Sequence, residues 1–292
     1  MFPEEFDYFR PKSVDEAMVL MKKYGENARV LAGGMSLIPL LKSRVINIPN
    51  IVDMSRIPEL SKIEEKRGEI KIGSMVTDYQ IENSRILYEK IPLLKKVSGW
   101  IGDPQVRNRG TMGGSLCHAD PSGDWGACFL ALRGKATVKG ENGERTIEAD
   151  DFFEDSYTTT MEPGEVLTEI TFPVPEKNNG YSYQKMERKA GDFATVGVAI
   201  QLSISGNGKC TYAGIGLTAV APTPIRSQKA EEFLMGKKVD GNTIREAAKI
   251  AADETDPMDD PLRGSAEFKR YISEVLVRRG LNEAVEKAMG VK

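Results

Sequence analysis

One short segment near the middle of the chain, TMGGSLCHADPSGDW at residues 111–125, concentrates groups that could do chemistry. It holds two adjacent glycines, the only histidine of the chain and two aspartates. His118 with Asp120 and Asp124 could suggest a metal site. The irregular spacing, without an HxxxH or CxxC pattern, instead favours a polar residue that lies beside a cofactor. A single histidine is also no indication of a catalytic triad.

A second pair of adjacent glycines, in AGGMSL at residues 32–37, again precedes a hydroxyl residue. Glycine allows a positive φ and lets a ligand approach the backbone closely. Consecutive free amides in such a segment form an anion-binding nest. Two such segments could hold a pyrophosphate between them, whereas ordinary tight turns are the more common use of Gly-Gly. The spacing alone does not decide between these interpretations.

A third glycine motif, GIGLTA at residues 214–219, matches the G-x-G-x-x-A form of the dinucleotide-binding pattern. That pattern requires a helix to begin at the motif. Pro222 and Pro224 follow directly and prevent such a helix, so the segment is predicted to be a plain strand.

Hydrophobic periodicity and breaker residues predict an alternation of short strands and helices. Ser13 and Glu16 form a capping-box pattern at the start of the first predicted helix. Helices are predicted at 13–24, in a short turn interrupted by Pro39, around Pro92, at 123–134, and in three segments between 225 and 289. Strands are predicted at 27–34, 51–54 and 69–74, in a hairpin at 135–149, at 166–175, and in three segments between 182 and 220. Residues 102–110 are predicted to be a polar turn.

Composition limits the class of protein. The net charge of −3, from 40 basic and 43 acidic residues, gives no electrostatic footprint for nucleic acid. The acidic N-terminus does not resemble a signal peptide, and no segment has the apolar length of a membrane span. The three cysteines form no spaced pair that would indicate disulfides or a metal site. A cytoplasmic protein with reduced thiols is therefore expected.

Three segments together carry a resemblance to a known family: AGGMSLIPLLKSR, IGDPQVRNRGTMGGSLCHADPSGDW and YQKMERKAGDFATVGVA. They resemble the FAD-binding medium subunit of the molybdenum hydroxylases, which include carbon monoxide dehydrogenase and xanthine dehydrogenase. The likeness extends over nearly the whole chain and is closest to the carbon monoxide dehydrogenase type.

The resemblance implies an α+β fold with a two-part FAD-binding domain of the vanillyl-alcohol-oxidase (PCMH) type. This domain would span residues 1–175, with subdomains at about 1–54 and 55–175. A small α/β flavoprotein C-terminal domain, a sheet plus helices, would span 178–292.

The resemblance also assigns roles to residues. Leu31 to Leu37 would line a first phosphate loop, and Thr111 to Ser115 a second. Ile101 would pack against the flavin ring, Leu167 and Lys185 would lie near it, and Phe193 would cover its face. Asp124 would contact the ribityl or phosphate part. For Lys185, a solvated strand lysine remains an equal alternative. The complete set of expected cofactor-binding residues is Leu31, Ala32, Gly33, Gly34, Met35, Ser36, Leu37, Ile101, Thr111, Met112, Gly113, Gly114, Ser115, His118, Asp120, Asp124, Leu167, Lys185 and Phe193.

The function implied is that of an electron-transfer subunit with noncovalent FAD. Molybdopterin and iron–sulfur clusters would belong to a large and a small partner subunit, and electrons would leave to an external acceptor. Two alternatives are a free-standing FAD-dependent reductase or oxidase with its own substrate pocket, and an assembly module that has lost FAD. The intact glycine pairs argue against the second alternative.

Overall fold

The computed structural model describes residues 2–290 as a mixed α+β structure with three main sheets. The strands are β1 (Asp7–Phe9), β2 (Ala28–Leu31), β3 (Asn50–Asp53), β4 (Ile63–Lys66), β5 (Glu69–Gly73), β6 (Lys135–Gly140), β7 (Gly143–Glu148), β8 (Phe153–Asp155), β9 (Thr158–Thr159), β10 (Val166–Pro173), β11 (Asn179–Met186), β12 (Val196–Ile204), β13 (Cys210–Thr218) and β14 (Ile225–Arg226). The helices are α1 (Val14–Tyr24), α2 (Leu37–Lys42), α3 (Asp78–Glu82), α4 (Arg85–Lys90), α5 (Pro92–Ser98), α6 (Pro104–Arg107), α7 (Met112–His118), α8 (Asp124–Ala131), α9 (Gln228–Leu234), α10 (Gly241–Asp253) and α11 (Ala266–Ala288).

The N-terminal sheet is parallel, with strand order β1-β3-β2. Helix α1 connects β1 to β2 and begins where the Ser13 hydroxyl accepts a hydrogen bond from the Glu16 amide. Val14 and Ala17 on this helix pack with Val52 of β3 and with Val166 of β10. Strand β2 of this sheet ends at Leu31, two residues before Gly33, the first glycine of the first pair.

The central sheet is antiparallel, with strand order β4-β5-β10-β6-β7. It carries the largest core, in which Phe129 of α8 meets the rings of Phe152 and Phe172 edge-on. The predicted hairpin at 135–149 and the predicted strand at 69–74 are confirmed as β6–β7 and β5. This core supports α7, which begins at the second pair of glycines.

The C-terminal sheet, β11-β12-β13-β14, lies between two layers of helix. Helix α11 packs on β11 and β12, while α8, which comes from the first half of the chain, packs on β12 and β13. Gly214 and Gly216 make that second contact possible, because a Cβ on either would lie 1.9 Å from the carbonyl oxygen of Ala131 or Ala127. GIGLTA is therefore a strand, as predicted, and its glycines serve helix packing.

Two local expectations are wrong. Pro39 does not interrupt α2, because it lies in the first helical turn, where a proline leaves no intrahelical acceptor without its donor. Residues 104–107 form the short helix α6, which Asp103 caps, rather than a turn. The sequence left open whether the second pair of glycines forms a tight turn; in the structure Gly113 and Gly114 lie in the first turn of α7.

The close contact between β13 and α8 gives a stability prediction. We expect Gly216→Ala to lower the free energy of unfolding by about 1–3 kcal/mol, because the new methyl group forces the strand away from the helix. Urea denaturation measures this change. Gly206→Ala is the matched control, since no atom lies within 4 Å of a Cβ at that position. Equal stabilities of the two variants would contradict the packing argument.

Candidate functional site

The structure brings the segments that carry the two pairs of glycines into direct contact. A Cβ on Gly33 would lie 2.1 Å from the carbonyl oxygen of Arg109 and 2.8 Å from the Cα of Gly110. A Cβ on Gly114 would lie 3.2 Å from the Cβ of Ala32. Two segments that are distant in the sequence therefore pack backbone against backbone, and any side chain at Gly33 would separate them.

The first glycine segment offers a run of free backbone donors. The amides of Gly33, Gly34, Met35, Ser36 and Leu37 have no hydrogen-bond acceptor within residues 2–290. Gly33 and Gly34 are nevertheless buried, and Gly34 has a φ of +80°. Buried backbone amides without an acceptor are rare in folded proteins. Consecutive amides of this kind form a concave site for an anion.

The second glycine segment is held more tightly. The hydroxyl of Thr111 accepts from the Gly114 amide at 3.0 Å, and the Met112 amide donates to the Val76 carbonyl. A Cβ on Gly113 would lie 2.5 Å from the carbonyl oxygen of Ser74, so this segment is also pressed onto β5 and the residues after it. The Gly113 amide has no acceptor in the described part of the chain. The second segment therefore also has a backbone donor without an acceptor among these residues.

An open cleft of about 400 Å³ begins at Gly34 and continues along α2. Met35, Ile38, Pro39, Lys42 and Ser43 form the rest of its lining. The volume falls within the range of small-molecule sites. Lys42 supplies a cation and Ile38 an apolar surface. Neither residue was expected at the site from the sequence, although the sequence does show that both follow the glycines on a short helix.

Asp124 and Lys185 meet in a buried polar cluster. The Lys185 ammonium lies 3.0 Å from the Asp124 carboxylate, and its side chain is fully buried. The Tyr183 hydroxyl also donates to Asp124. Burial raises the pKa of Asp124, an effect that the neighbouring Lys185 ammonium opposes. The interpretation of Lys185 as a solvated strand lysine is therefore wrong, because the lysine belongs to an internal ion pair.

Ile101 and Phe193 lie on two loops that touch each other. A Cβ on Gly191, in the loop between β11 and β12, would lie 2.7 Å from the Gly102 carbonyl oxygen. Ile101 is half-buried, and Phe193 has 46% of its surface exposed. Leu167 lies elsewhere, buried in the central core on β10, next to Thr168, whose carbonyl accepts from the Ser74 amide.

His118 and Asp120 lie at the far end of α7 from the glycines. The His118 ring packs against the ring of Tyr157 at 5.3 Å. Asp120 accepts from the Ser122 amide. Burial, and next the nearby Asp120 carboxylate, raise the pKa of Tyr157. Ala119 between them has a φ of +49°, which ends the helix. His118, Asp120 and Asp124 thus each have separate partners.

A buried carboxyl group, that of Asp78, lies next to Gly110, directly before the second glycine segment. It was not expected at the site from the sequence. Asp78 accepts from the indole nitrogen of Trp125 at 2.8 Å, and its amide donates to the Gly110 carbonyl. Burial is the main cause that raises the pKa of Asp78 to about 7. A sequence offers no signal that pairs an aspartate with a tryptophan 47 positions away.

Comparison with known proteins identifies the family. The model for the FAD-binding domain in molybdopterin dehydrogenase matches residues 4–175, and that for the CO dehydrogenase flavoprotein C-terminal domain matches 181–284. The chain belongs to the FAD-binding medium subunits of the molybdenum hydroxylases, a family of oxidoreductase subunits. The α+β fold class and the family expected from the resemblance are both confirmed.

Individual relatives are similar over almost their full length. The carbon monoxide dehydrogenase medium chain of Afipia carboxidovorans is 40% identical over 288 residues, which are 99% of either chain. The glyceraldehyde dehydrogenase medium chain of Sulfolobus acidocaldarius is 34% identical over 97% of this chain and 99% of its own. In the structure of carbon monoxide dehydrogenase from Hydrogenophaga pseudoflava, one chain superposes with a TM-score of 0.95 at 40% identity, over 97% of this chain and 98% of its own.

Among residues 2–290, no helix combines the length and the apolar character needed to cross a lipid bilayer.

The Asp78 carboxyl predicts a pH dependence of stability. Its pKa is raised on folding from 3.8 to about 7, so its contribution is complete below pH 4 and is lost as the pH rises to 7. We expect the free energy of unfolding of the wild type to fall by roughly 3 kcal/mol relative to Asp78→Asn across this window. Urea denaturation between pH 4 and pH 8 measures the difference.

The comparison with a variant is needed because burial also raises the pKa of Glu231 to about 7. Asp253→Asn, at an exposed position on α10, is the matched control and should follow the wild type. Parallel pH profiles for the wild type and Asp78→Asn would show that Asp78 has no raised pKa.

Proposed function

We propose that this chain holds FAD noncovalently and is the electron-transfer subunit of a heterotrimeric molybdenum hydroxylase. The observation that carries the proposal is the run of free amides from Gly33 to Leu37, packed against the second glycine segment. A pyrophosphate is a dianion rich in acceptor oxygens, and backbone amides that lack other acceptors can satisfy it without a counter-ion.

Apart from Lys185, whose side chain is buried in an ion pair, the residues proposed to contact FAD are those that the resemblance assigned. The first segment, Leu31 to Leu37, and the second, Thr111 to Ser115, would share the pyrophosphate. Lys42, at the edge of the adjacent cleft, would add a cation for the same phosphates. His118 and Asp120, at the other end of α7, remain proposed contacts to more distant parts of the cofactor.

The flavin half of the cofactor would lie toward Ile101 and Phe193. Their apolar side chains would exclude water from the ring, and the exposed fraction of Phe193 would decrease on binding. Leu167 is proposed to support this region from the central core. When bound, FAD would supply the redox chemistry that connects iron–sulfur clusters in a small partner subunit with an external acceptor.

The partner subunits are proposed from the relatives. Proteins of the same length and fold are medium chains of carbon monoxide and glyceraldehyde dehydrogenases. Because the substrates differ while this subunit is retained, we propose that a molybdopterin-containing large subunit selects the substrate. A cytoplasmic location, and a division into domains at 1–175 and 178–292, belong to the same proposal. The change of sheet between β10 and β11 supports that division.

The contact between the glycine segments gives the first functional prediction. We expect Gly114→Val to weaken FAD binding by at least about tenfold, which corresponds to 1.4 kcal/mol. The physical reason is that its side chain would fill the space between Thr111 and Ala32. Titration of the FAD-free protein, followed by flavin fluorescence, measures the dissociation constant.

Gly206→Val is the control for this experiment, because no atom lies within 4 Å of a Cβ at that position, in the turn between β12 and β13. It should leave FAD affinity unchanged, and both variants should be checked for cooperative unfolding. An unchanged dissociation constant for folded Gly114→Val would refute the assignment of the second segment to the pyrophosphate.

Purification from the native host tests the wider proposal. We expect a flavin absorption spectrum, release of FAD on acid denaturation, and two co-purifying subunits that contain molybdenum and iron. A colourless protein that takes up no FAD at micromolar concentrations would end the proposal. A partner-free flavoprotein that turns over an organic substrate would instead support a free-standing reductase or oxidase.

A further inference from the structure

Lys185 has an unusual position for a lysine: its side chain is fully buried, and several segments of the chain converge on its ammonium group. Asp124 at the start of α8 lies 3.0 Å away, and the Glu187 carboxylate, two residues further along the chain, lies 3.5 Å away. The Trp100 carbonyl accepts from the same ammonium at 3.3 Å. A lysine side chain that is free in water is flexible. Because the Lys185 ammonium contacts all three groups at once, it fixes their positions relative to each other.

The loop that carries Ile101 is attached to the Lys185 ammonium through Trp100. This residue directly precedes Ile101, which is proposed to pack on the flavin. The Trp100 ring also packs edge-on against Tyr183, at 6.5 Å between ring centroids. On the other side of the loop, Arg107 donates to the carbonyls of Ile101 and Gly102 at 3.1 and 3.4 Å. Ile101 is therefore held between Lys185 and Arg107.

The loop that carries Phe193 is attached to the Lys185 ammonium through Glu187. One carboxylate oxygen of Glu187 accepts from the Gly191 amide at 3.3 Å. The other oxygen is buried and, within residues 2–290, has no hydrogen bond, so the Lys185 ammonium is its ionic partner. Gly191 rests on the Gly102 backbone, two residues before Phe193. Phe193 is thus connected to Lys185 through Glu187.

We propose that Lys185 is a positioning residue that holds the Ile101 loop and the Phe193 loop together on the flavin. This proposal rests on the proposed function, because it takes Ile101 and Phe193 as the residues beside the ring. Lys185 acts through these loops and not as a positive charge next to the flavin. Its ammonium is already matched by Asp124 and Glu187, and such nearby counter-charges cancel most of its field at longer distance.

The experiment compares Lys185→Met with Lys189→Met in the full-length chain. Lys189 is an exposed lysine of the Phe193 loop that takes part in no ion pair among the described residues. Chymotrypsin cleavage after Phe193 in the FAD-free protein reports the mobility of the loop. In the FAD-bound protein, the rate of FAD release and the quenching of flavin fluorescence by iodide report how well the flavin ring is shielded from solvent.

We expect Lys185→Met to increase the rate of cleavage after Phe193 and the rate of FAD release about tenfold each. A tenfold change corresponds to a loss of 1.4 kcal/mol of the free energy that keeps the two loops in place. Iodide should quench its flavin more strongly, and Lys189→Met should behave like the wild type. Wild-type values of all three measurements in Lys185→Met would overturn the proposal. A shifted flavin midpoint potential with unchanged cleavage and quenching would assign Lys185 an electrostatic role and would also overturn it.

A second variant protects the test against misfolding, because removal of a buried ion-pair partner is often strongly destabilising. Gly191→Ala keeps the buried charges and places a methyl group 2.7 Å from the Gly102 carbonyl oxygen, which separates the two loops directly. It should show the same three changes, and their absence in this variant would count against the proposal. Failure of the wild type to bind FAD would refute the proposed function, whereas the cleavage comparison would still test the connection between the loops.

Discussion

The direct contact between two glycine-bearing segments determines the architecture of the site. Gly33 lies against the backbone of Arg109 and Gly110, and Gly114 lies against the Cβ of Ala32. The amides from Gly33 to Leu37 have no acceptor within residues 2–290, and those of Gly33 and Gly34 are buried. Buried backbone donors in this state are rare in folded proteins, which supports the proposal that this segment binds an anion.

The rest of the molecule holds these segments in place from different sides. The parallel N-terminal sheet ends at the first segment, and the central sheet supports the second through Ser74. Helix α8 belongs to the core of the central sheet and also packs on the C-terminal sheet. Because one helix serves two cores, the Asp124 at its start lies at the junction between the two halves of the chain. The Lys185 cluster forms at that junction, where both halves can contribute charged groups.

Membership of the family agrees with this arrangement of the two glycine segments. Relatives of about the same length are medium chains of enzymes whose names specify different substrates. The model of an FAD-binding domain matches residues 4–175, so the family identifies a cofactor-binding subunit but not the substrate of the enzyme. The buried carboxyl of Asp78 lies next to Gly110, and the cluster around Lys185 joins Asp124 to the loops of Ile101 and Phe193.

The sequence by itself determined most elements, because the alternation in β5, the turn between β6 and β7 and the helical spacing in α11 are local patterns. The family and the α+β class followed from the resemblance that the motifs around the glycines carry. It also excluded GIGLTA as a nucleotide site, since two prolines follow it. Whether the second pair of glycines forms a turn or a helix start was decided by the Thr111 cap and by its packing on Ser74. The environment of Lys185 likewise depended on Asp124 and Trp100, which are 61 and 85 positions away. Only the tertiary structure could decide such features, because burial and ion pairing arise between segments whose distance in the sequence carries no signal of their contact in space.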